Sequence, residues 1–144
     1  ECLSNKSCGA LFLKMGLVSK QRNCIFCNTK ADRFIEQDEL CYAREDRYPV
    51  TKFHALIIPN RHVQTYFDLE QSEVSAIHRM LISIKQRIQD EDGTVTAFNI
   101  GVNSGKDAGQ SIFHLHIHLI PRRNGDVENP QGGVRGVIPS KMHY

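Results

Sequence analysis

Two groups of side chains in this 144-residue chain have types and spacings suited to chemistry. The first is His114, His116 and His118, which occupy alternate positions of the otherwise apolar stretch Gln110-Ser-Ile-Phe-His-Leu-His-Ile-His-Leu-Ile-Pro121. The second is Cys24-Ile-Phe-Cys27. Residues i, i+2 and i+4 of an extended strand share a face and sit roughly 6 to 7 Å apart. The three imidazoles therefore point one way, and Leu115, Ile117 and Leu119 point the other, toward a core. A single imidazole on a strand is ordinarily a satisfied structural residue. Three in register are hard to explain so, because each needs hydrogen-bond partners and none adds apolar burial.

Two chemistries remain for such a row. One is a three-histidine metal site, although neighbouring same-face positions surround an ion less easily than two close histidines with one distant ligand. The other is nucleophilic catalysis, in which one imidazole attacks while the others orient it and bind the charge that develops. The loop ahead of the row favours the second. Gly105 and Gly109 let backbone N–H groups approach an anion, and Asn103, Gln110 and Ser111 add uncharged hydrogen-bonding groups. A phosphate is the anion expected there. The cysteine pair has metal-ligand spacing, but spacing alone leaves zinc, redox chemistry and chance open. No βαβ pattern surrounds it, as a thioredoxin-like site would need.

These residues need a scaffold, and the pattern supplies one. Glu39–Arg44 and Phe53–Ile58 read as strands, the second closed by Pro59-Asn60, and Thr94–Ile100 reads as a third. The histidine strand follows and ends at Pro121. Between them, Val74, Ile77, Leu81, Ile84 and Ile88 draw one apolar stripe down a helix that starts near Asp68 and stops at Gly93. Strands outnumber long helices and have short connections, which predicts an α+β domain: an antiparallel sheet with one main helix packed on it.

Composition sets limits. A hydrophobic share of 40% with 24% charged residues argues for a folded chain, and 144 residues suit one domain. A net charge of +2 predicts no bulk attraction to nucleic acid or membrane. The apolar segment from Gly9 to Val18 is interrupted by Lys14, too short to span a bilayer, and lacks a following small-residue cleavage site. It reads as a docked helical turn. Five cysteines, an odd number, fit a reducing compartment better than a disulfide framework, so the cytoplasm is expected. Cys2, Cys8 and Cys41 read as ordinary cysteines, His78 as structural, and His143 carries no signal.

At this point His114-Leu-His-Ile-His-Leu-Ile120 resembles the histidine-triad signature of the HIT superfamily, His-φ-His-φ-His-φ-φ with φ apolar, and Gly109-Gln-Ser111 stands just before it as in the family. Asp46-Arg-Tyr-Pro49, His54-Ala-Leu-Ile-Ile-Pro59 and Arg61-His-Val63 resemble the family's upstream signature. The resemblance runs from about Cys24 to Arg123. It implies the HIT-like α+β fold, with about five antiparallel strands, one main helix and shorter helices. The domain would span 21–144, including a C-terminal tail, after an extension at 1–20.

The resemblance also implies a nucleotidyl hydrolase or transferase. His116 would attack the α-phosphorus, His118 and Gln110 would contact phosphate oxygens, and Ser111 the bridging or leaving-group side. His54 would support the triad from the adjacent strand, with His114 completing the catalytic set. Asp46 matches the position that holds the ribose hydroxyls, and Asn103 an asparagine of the phosphate loop. In bacterial-type members a similar Cys-x-x-Cys binds structural zinc with the Arg-His-Val histidine and the first triad histidine, which carries over to Cys24, Cys27, His62 and His114. Members commonly form homodimers through helix and strand. One departure stands out: Phe53 precedes His54 where the family usually has glycine, which puts the local turn and base preference in question.

Arg122-Arg123, at the end of the catalytic strand, are candidates to hold a polyphosphate, against the bland reading of a solvated strand end. The tail Asn129-Pro-Gln-Gly-Gly-Val-Arg-Gly-Val-Ile-Pro139 resembles a segment of HIT proteins that act on dinucleoside polyphosphates, which favours that class, such as diadenosine tetraphosphate, with Arg135 as a further contact. The alternatives are a nucleoside phosphoramidate hydrolase, a phosphorylase, and a non-catalytic nucleotide-binding scaffold.

Overall fold

A computed structural model describes residues 19–143. The expectations for Gly9–Val18, Cys2 and Cys8 lie outside the described residues. Five strands form one antiparallel sheet: β1 (Phe34–Gln37), β2 (Cys41–Glu45), β3 (Ala55–Pro59), β4 (Val95–Gly101) and β5 (Ile117–Arg123), in the order β1-β2-β3-β5-β4. One long helix, α1 (Gln71–Glu91), covers one face, and short 3₁₀ turns fill the connections. This is the α+β architecture expected from the sequence pattern.

The core lies between α1 and the sheet. Ala76, Ile77, Met80, Ile84 and Ile88 meet Cys41, Ala43, Ala55, Ile57, Leu115, Ile117 and Leu119 there. Ile77, Ile84 and Ile88 of the expected stripe are buried, but Val74 and Leu81 sit at its margin, and Ala76 and Met80 take the centre. His78 is exposed. The opposite face carries a smaller cluster, Phe26, Tyr42, Leu56 and Ile58. Leu56 stands opposite His118 in the register, so this second face also bears the His118 end of the histidine row.

The helix begins later than Asp68. Asp68 instead accepts the Thr65 N–H (2.8 Å) and closes a 3₁₀ turn over Tyr66–Asp68. Glu73 receives the Glu70 N–H (2.9 Å) and two bonds from Arg61 (2.6 and 2.9 Å), a bidentate pair that fixes the helix start to the end of β3. The strand β1 was not legible because Phe34-Ile-Glu-Gln37 is only half-buried and follows a polar run. Its hairpin with β2 is made by Asp38, whose carboxylate accepts the N–H groups of Leu40 and Cys41 (both 2.7 Å). Among the described residues no helix is long and apolar enough to cross a membrane.

The histidine segment departs from expectation in two ways. Only His118 lies within β5, while His114 and His116 lead into it. The strand also runs on through Pro121 to Arg123. Pro121 sits opposite Phe98 of β4, beyond Leu119, where pairing with β3 has ended, so its missing N–H leaves no ladder bond unmade there.

Candidate functional site

The three histidines divide between two sites, and the residue dividing them comes from the cysteine pair. Phe26 packs against His114 (ring centroids 5.9 Å apart) and against His116 (5.2 Å). On one side of this ring His114 is fully buried with Cys24, Cys27 and His62. On the other, His116 and His118 line a cavity of about 770 Å³.

The buried side has the geometry of a metal centre. Cys24 Sγ lies 3.3 Å from His114 Nδ1, Cys27 Sγ lies 3.5 Å from the same atom and 3.3 Å from His62 Nδ1. All four donor atoms lie within 4.8 Å of one another. A zinc tetrahedron of sulfur and nitrogen ligands has edges of roughly 3.3 to 3.8 Å, so the donor set fits. His114 Nε2–H donates to the Pro59 carbonyl (2.9 Å), which leaves Nδ1 with its lone pair facing the sulfurs. Burial pushes this imidazole down to about 4, so at neutral pH it is in the uncharged form that binds a metal. The segment Arg61-His-Val63 serves three purposes: Arg61 anchors the helix, His62 joins the cluster, and Val63 is a core residue whose carbonyl accepts the Leu115 N–H (2.8 Å).

The open side is ordered by a chain of hydrogen bonds that fixes each tautomer. His116 Nδ1–H donates to the His114 carbonyl (2.8 Å), so Nε2 keeps its lone pair. His54 Nδ1 accepts the Val50 N–H (3.2 Å), so its proton sits on Nε2 and is given to His118 Nδ1 (2.9 Å). His118 then carries its own proton on Nε2. Asp46 Oδ2 stands 3.5 Å from His54 Nε2 and 3.7 Å from His118 Nδ1. Burial, reinforced by the neighbouring imidazoles His116 and His54, pushes His118 down to about 4, against the opposing pull of Asp46. Burial likewise lowers His54, again against Asp46. The result is an imidazole with an available lone pair, His116, 5.3 Å centroid to centroid from a neutral ring that can donate, His118.

The other site residues expected from the sequence fall in different places. Asp46, His54, Asn103, Ser111, His116 and His118 all line the cavity. Gln110 does not. It is buried, donates through Nε2 to the carbonyls of Gln64 (2.7 Å) and Ile112 (3.1 Å), accepts the Gly105 N–H (2.8 Å), and so braces the loop. Gly105 (φ 98°) and Gly109 (φ 85°) take the conformations that loop requires. Arg122 and Arg123 are engaged elsewhere: Arg122 pairs with Asp126 (2.7 Å) and Asn99 (2.6 Å), and Arg123 with Asp92 (2.8 Å). Arg135 bonds the Lys141 carbonyl (2.9 Å). The Arg123 pairing had no sequence signal, since Asp92 is 31 residues away. Sequence reasoning also missed Ile25, Phe26, Thr29, Arg44 and Leu56, which line the cavity. The two residues inside Cys24-Ile-Phe-Cys27 were the available clue, since any ligand pair that folds onto the triad brings its spacer along.

A HIT-domain family model matches residues 28–125, and the chain belongs to the HIT family. Over 110 residues it is 36% identical to an adenylylsulfatase, HINT3, of Arabidopsis thaliana, a match covering 74% of this chain and 55% of that protein. Over 96 residues it is 33% identical to an AP-4-A phosphorylase of Mycobacterium tuberculosis, covering 64% and 47%. The chain spans about half the length of these relatives. A crystal structure of a HIT family protein from Bacillus anthracis superposes with a TM-score of 0.65 at 38% identity, over 71% of this chain and 74% of that one. A Zn-bound histidine triad family protein from Mycobacterium smegmatis does so with a TM-score of 0.60 at 33% identity, over 74% and 80%.

Proposed function

We propose that the protein is a nucleotidyl hydrolase or transferase that cleaves its substrate at the α-phosphate through an intermediate on His116. The observation that carries this reading is the pinned tautomer: His116 Nδ1–H is held by the His114 carbonyl, which leaves the Nε2 lone pair on a ring that lines the cavity. Attack forms an Nε2–P bond and breaks the bond to the leaving group, which departs with its electron pair. The carbonyl then faces the positive charge that develops on the ring, and His118 Nε2–H is placed to donate to a phosphate oxygen. In the second step water attacks phosphorus and gives up a proton to solvent, the P–N bond breaks with its electron pair returning to Nε2, and the neutral imidazole is restored. Phosphate in place of water would make the enzyme a phosphorylase. In this reading Asp46 holds the ribose, and Asn103 and Ser111 face the phosphate.

Dinucleoside polyphosphates are the favoured substrates. A second groove of about 620 Å³ shares Val50, Asn103 and His118 with the site cavity, and Ile100, Val102, Val134 and Val137 give it an apolar bed suited to a second nucleoside. The similarity to an AP-4-A phosphorylase points the same way. The ion-paired Arg122 in that groove favours a second class, nucleoside phosphoramidates, whose leaving group carries less charge. Zinc held by Cys24, Cys27, His62 and His114 would be structural, joining the N-terminal segment to the catalytic one. A homodimer would pair the sheet edge at β4, where Ile100 is exposed, with α1, where Ile82 is exposed; sedimentation velocity tests it.

The deciding experiment is a turnover panel of diadenosine tri- and tetraphosphate, an adenosine phosphoramidate and adenylyl sulfate, each with and without phosphate, with products identified by mass. Release of a mononucleotide supports the reading and names the leaving group, and phosphate dependence separates phosphorylase from hydrolase. Tight mononucleotide binding without turnover of any member overturns catalysis in favour of a binding scaffold.

A further inference from the structure

The arginines of the molecule divide by whether a carboxylate holds them. Arg61, Arg122 and Arg123 are each in an ion pair. Arg33, Arg44 and Arg47 are in none with any described carboxylate, yet they stand together. They line the site cavity, and with Asp46 they also line an adjoining cavity of about 620 Å³ at the β1 edge. Their other contacts are weak or uncharged. Arg44 reaches the Glu45 carbonyl (3.2 Å) and Thr29 Oγ1 (3.4 Å), and the Arg47 guanidinium lies 5.7 Å from the Tyr48 ring centroid.

Their position is the informative part. Among the described residues the cations of the site cavity are Lys30, Arg33, Arg44 and Arg47, and Arg44 stands across Leu56 from His118 in the strand register. Among the described residues, Arg122 is the one arginine of the groove beyond His118, and Asp126 neutralises it. Arg44 is therefore two strands from His118 on the same face, whereas Asp46 reaches within 3.7 Å of that ring. Glu45, Asp46 and Glu91 line the same adjoining cavity, but none pairs with the three guanidinium groups, so their forks stay open to an anion bound among them.

We propose that the cavity selects nucleotides whose ribose bears a second anionic group, a 2′- or 3′-phosphate, held by Arg33, Arg44 and Arg47. The inference rests on the reading above that the nucleoside occupies this cavity, with Asp46 accepting the one ribose hydroxyl that stays unsubstituted. A free ribose-phosphorylated nucleotide and the 3′-phosphodiester of a short oligonucleotide offer the same chemistry at that point. Arginine suits either, because its fork bonds two phosphate oxygens at once.

The test is calorimetric binding to the full chain of AMP, adenosine 2′,5′-bisphosphate, adenosine 3′,5′-bisphosphate and a 5′-phosphorylated diadenylate. One bisphosphate is expected to bind at least about tenfold more tightly than AMP, with the ratio shrinking as salt rises. In Arg44→Gln and Arg47→Gln most of that preference should vanish, while Arg122→Gln should retain it. The diadenylate exceeding both bisphosphates supports the proposal and makes the source an oligonucleotide, and the reverse order supports it with a free nucleotide as the source. AMP and both bisphosphates binding equally overturns this proposal and leaves the nucleotide site intact. Failure of all four to bind overturns the nucleotide reading itself.

Discussion

His114 and His116 are two residues apart, carry the same side chain and pack on the same phenylalanine, yet they end in opposite situations. His114 is fully buried, its Nε2–H fixed to a carbonyl and its Nδ1 turned to two sulfurs and a third imidazole. His116 has the reverse arrangement, with Nδ1–H fixed and Nε2 open to a cavity. A backbone carbonyl sets the tautomer in both cases, and which nitrogen it takes decides whether the free lone pair faces the thiols or the cavity, the arrangement a ligand or a nucleophile would need. A closed four-donor shell has no position left for substrate, whereas the open end has room for one. The comparison teaches that the motif is two functional units sharing a backbone, and that removing neighbouring histidines should produce failures of different kinds.

The largest contrast is kinetic. His116→Ala should lower kcat by at least about 10³-fold, the scale expected when a nucleophile is deleted, with nucleotide affinity changed little and melting temperature close to that of the parent. His114→Ala should instead lose metal and stability before it loses chemistry. Single-turnover kinetics beside thermal melts of both variants would check this, and His116→Ala retaining turnover would sink the nucleophile assignment.

Metal removal comes next. The purified protein should hold about one zinc per chain by metal analysis, and a chelator should lower the melting temperature by about 10 °C or more, because a structural site contributes its binding energy to folding. Turnover below the new melting point should persist in part, since no group of the cluster lines the cavity. If chelation abolishes turnover with melting unchanged, the division of labour between the two ends is wrong.

The extent to which this was legible beforehand follows from the same split. Alternation of histidine with leucine and isoleucine put three rings on one side of the sheet, and the stripe on α1 placed the core, because both depend on local periodicity. Phe26 as the partition was not legible, since its place depends on how the segment folds back over residues almost ninety positions later, as the Cys24–His114 contact shows. Arg122 and Arg123 illustrate the converse. Their charge is visible in sequence, but only the structure shows Asp126 and Asp92 neutralising it.

A smaller effect is a dependence of stability on pH. His118 sits near 4 in the folded protein because burial disfavours its charged form, while an unfolded imidazole titrates near about 6.5. Between those values the unfolded chain binds more protons, so this ring's contribution to stability is complete above the unfolded value and is lost as pH falls toward 4. Melting of the zinc-loaded protein between pH 7.5 and 5 should therefore decline, and His118→Gln should decline less steeply. Equal slopes would remove His118 from the account and leave acid loss of zinc as the cause.

The smallest expected effect concerns what holds His54 in place. Phe53 is the one non-glycine residue with positive φ (68°) among the described residues. It is third in a turn closed by the His54 N–H to the Thr51 carbonyl (3.1 Å), where a type II geometry favours glycine. The left-handed backbone costs about 1 to 2 kcal/mol. The ring offsets part of this by packing at the edge of the core, with Lys52 Nζ 4.4 Å above its centroid. Phe53→Gly should relieve the strain and lose the packing, leaving stability within about 1 kcal/mol of the parent. Phe53→Val keeps the strain, worsens it by β-branching and loses most of the ring, so it should be less stable than either by about 1 to 2 kcal/mol. Because the turn also seats the His54 carbonyl on the Asp46 N–H (2.9 Å), that variant should lose turnover without losing zinc. Urea melts with metal analysis and kcat on the three proteins would decide it, and a Phe53→Val protein as stable and active as the parent would show that this turn does not position the catalytic end.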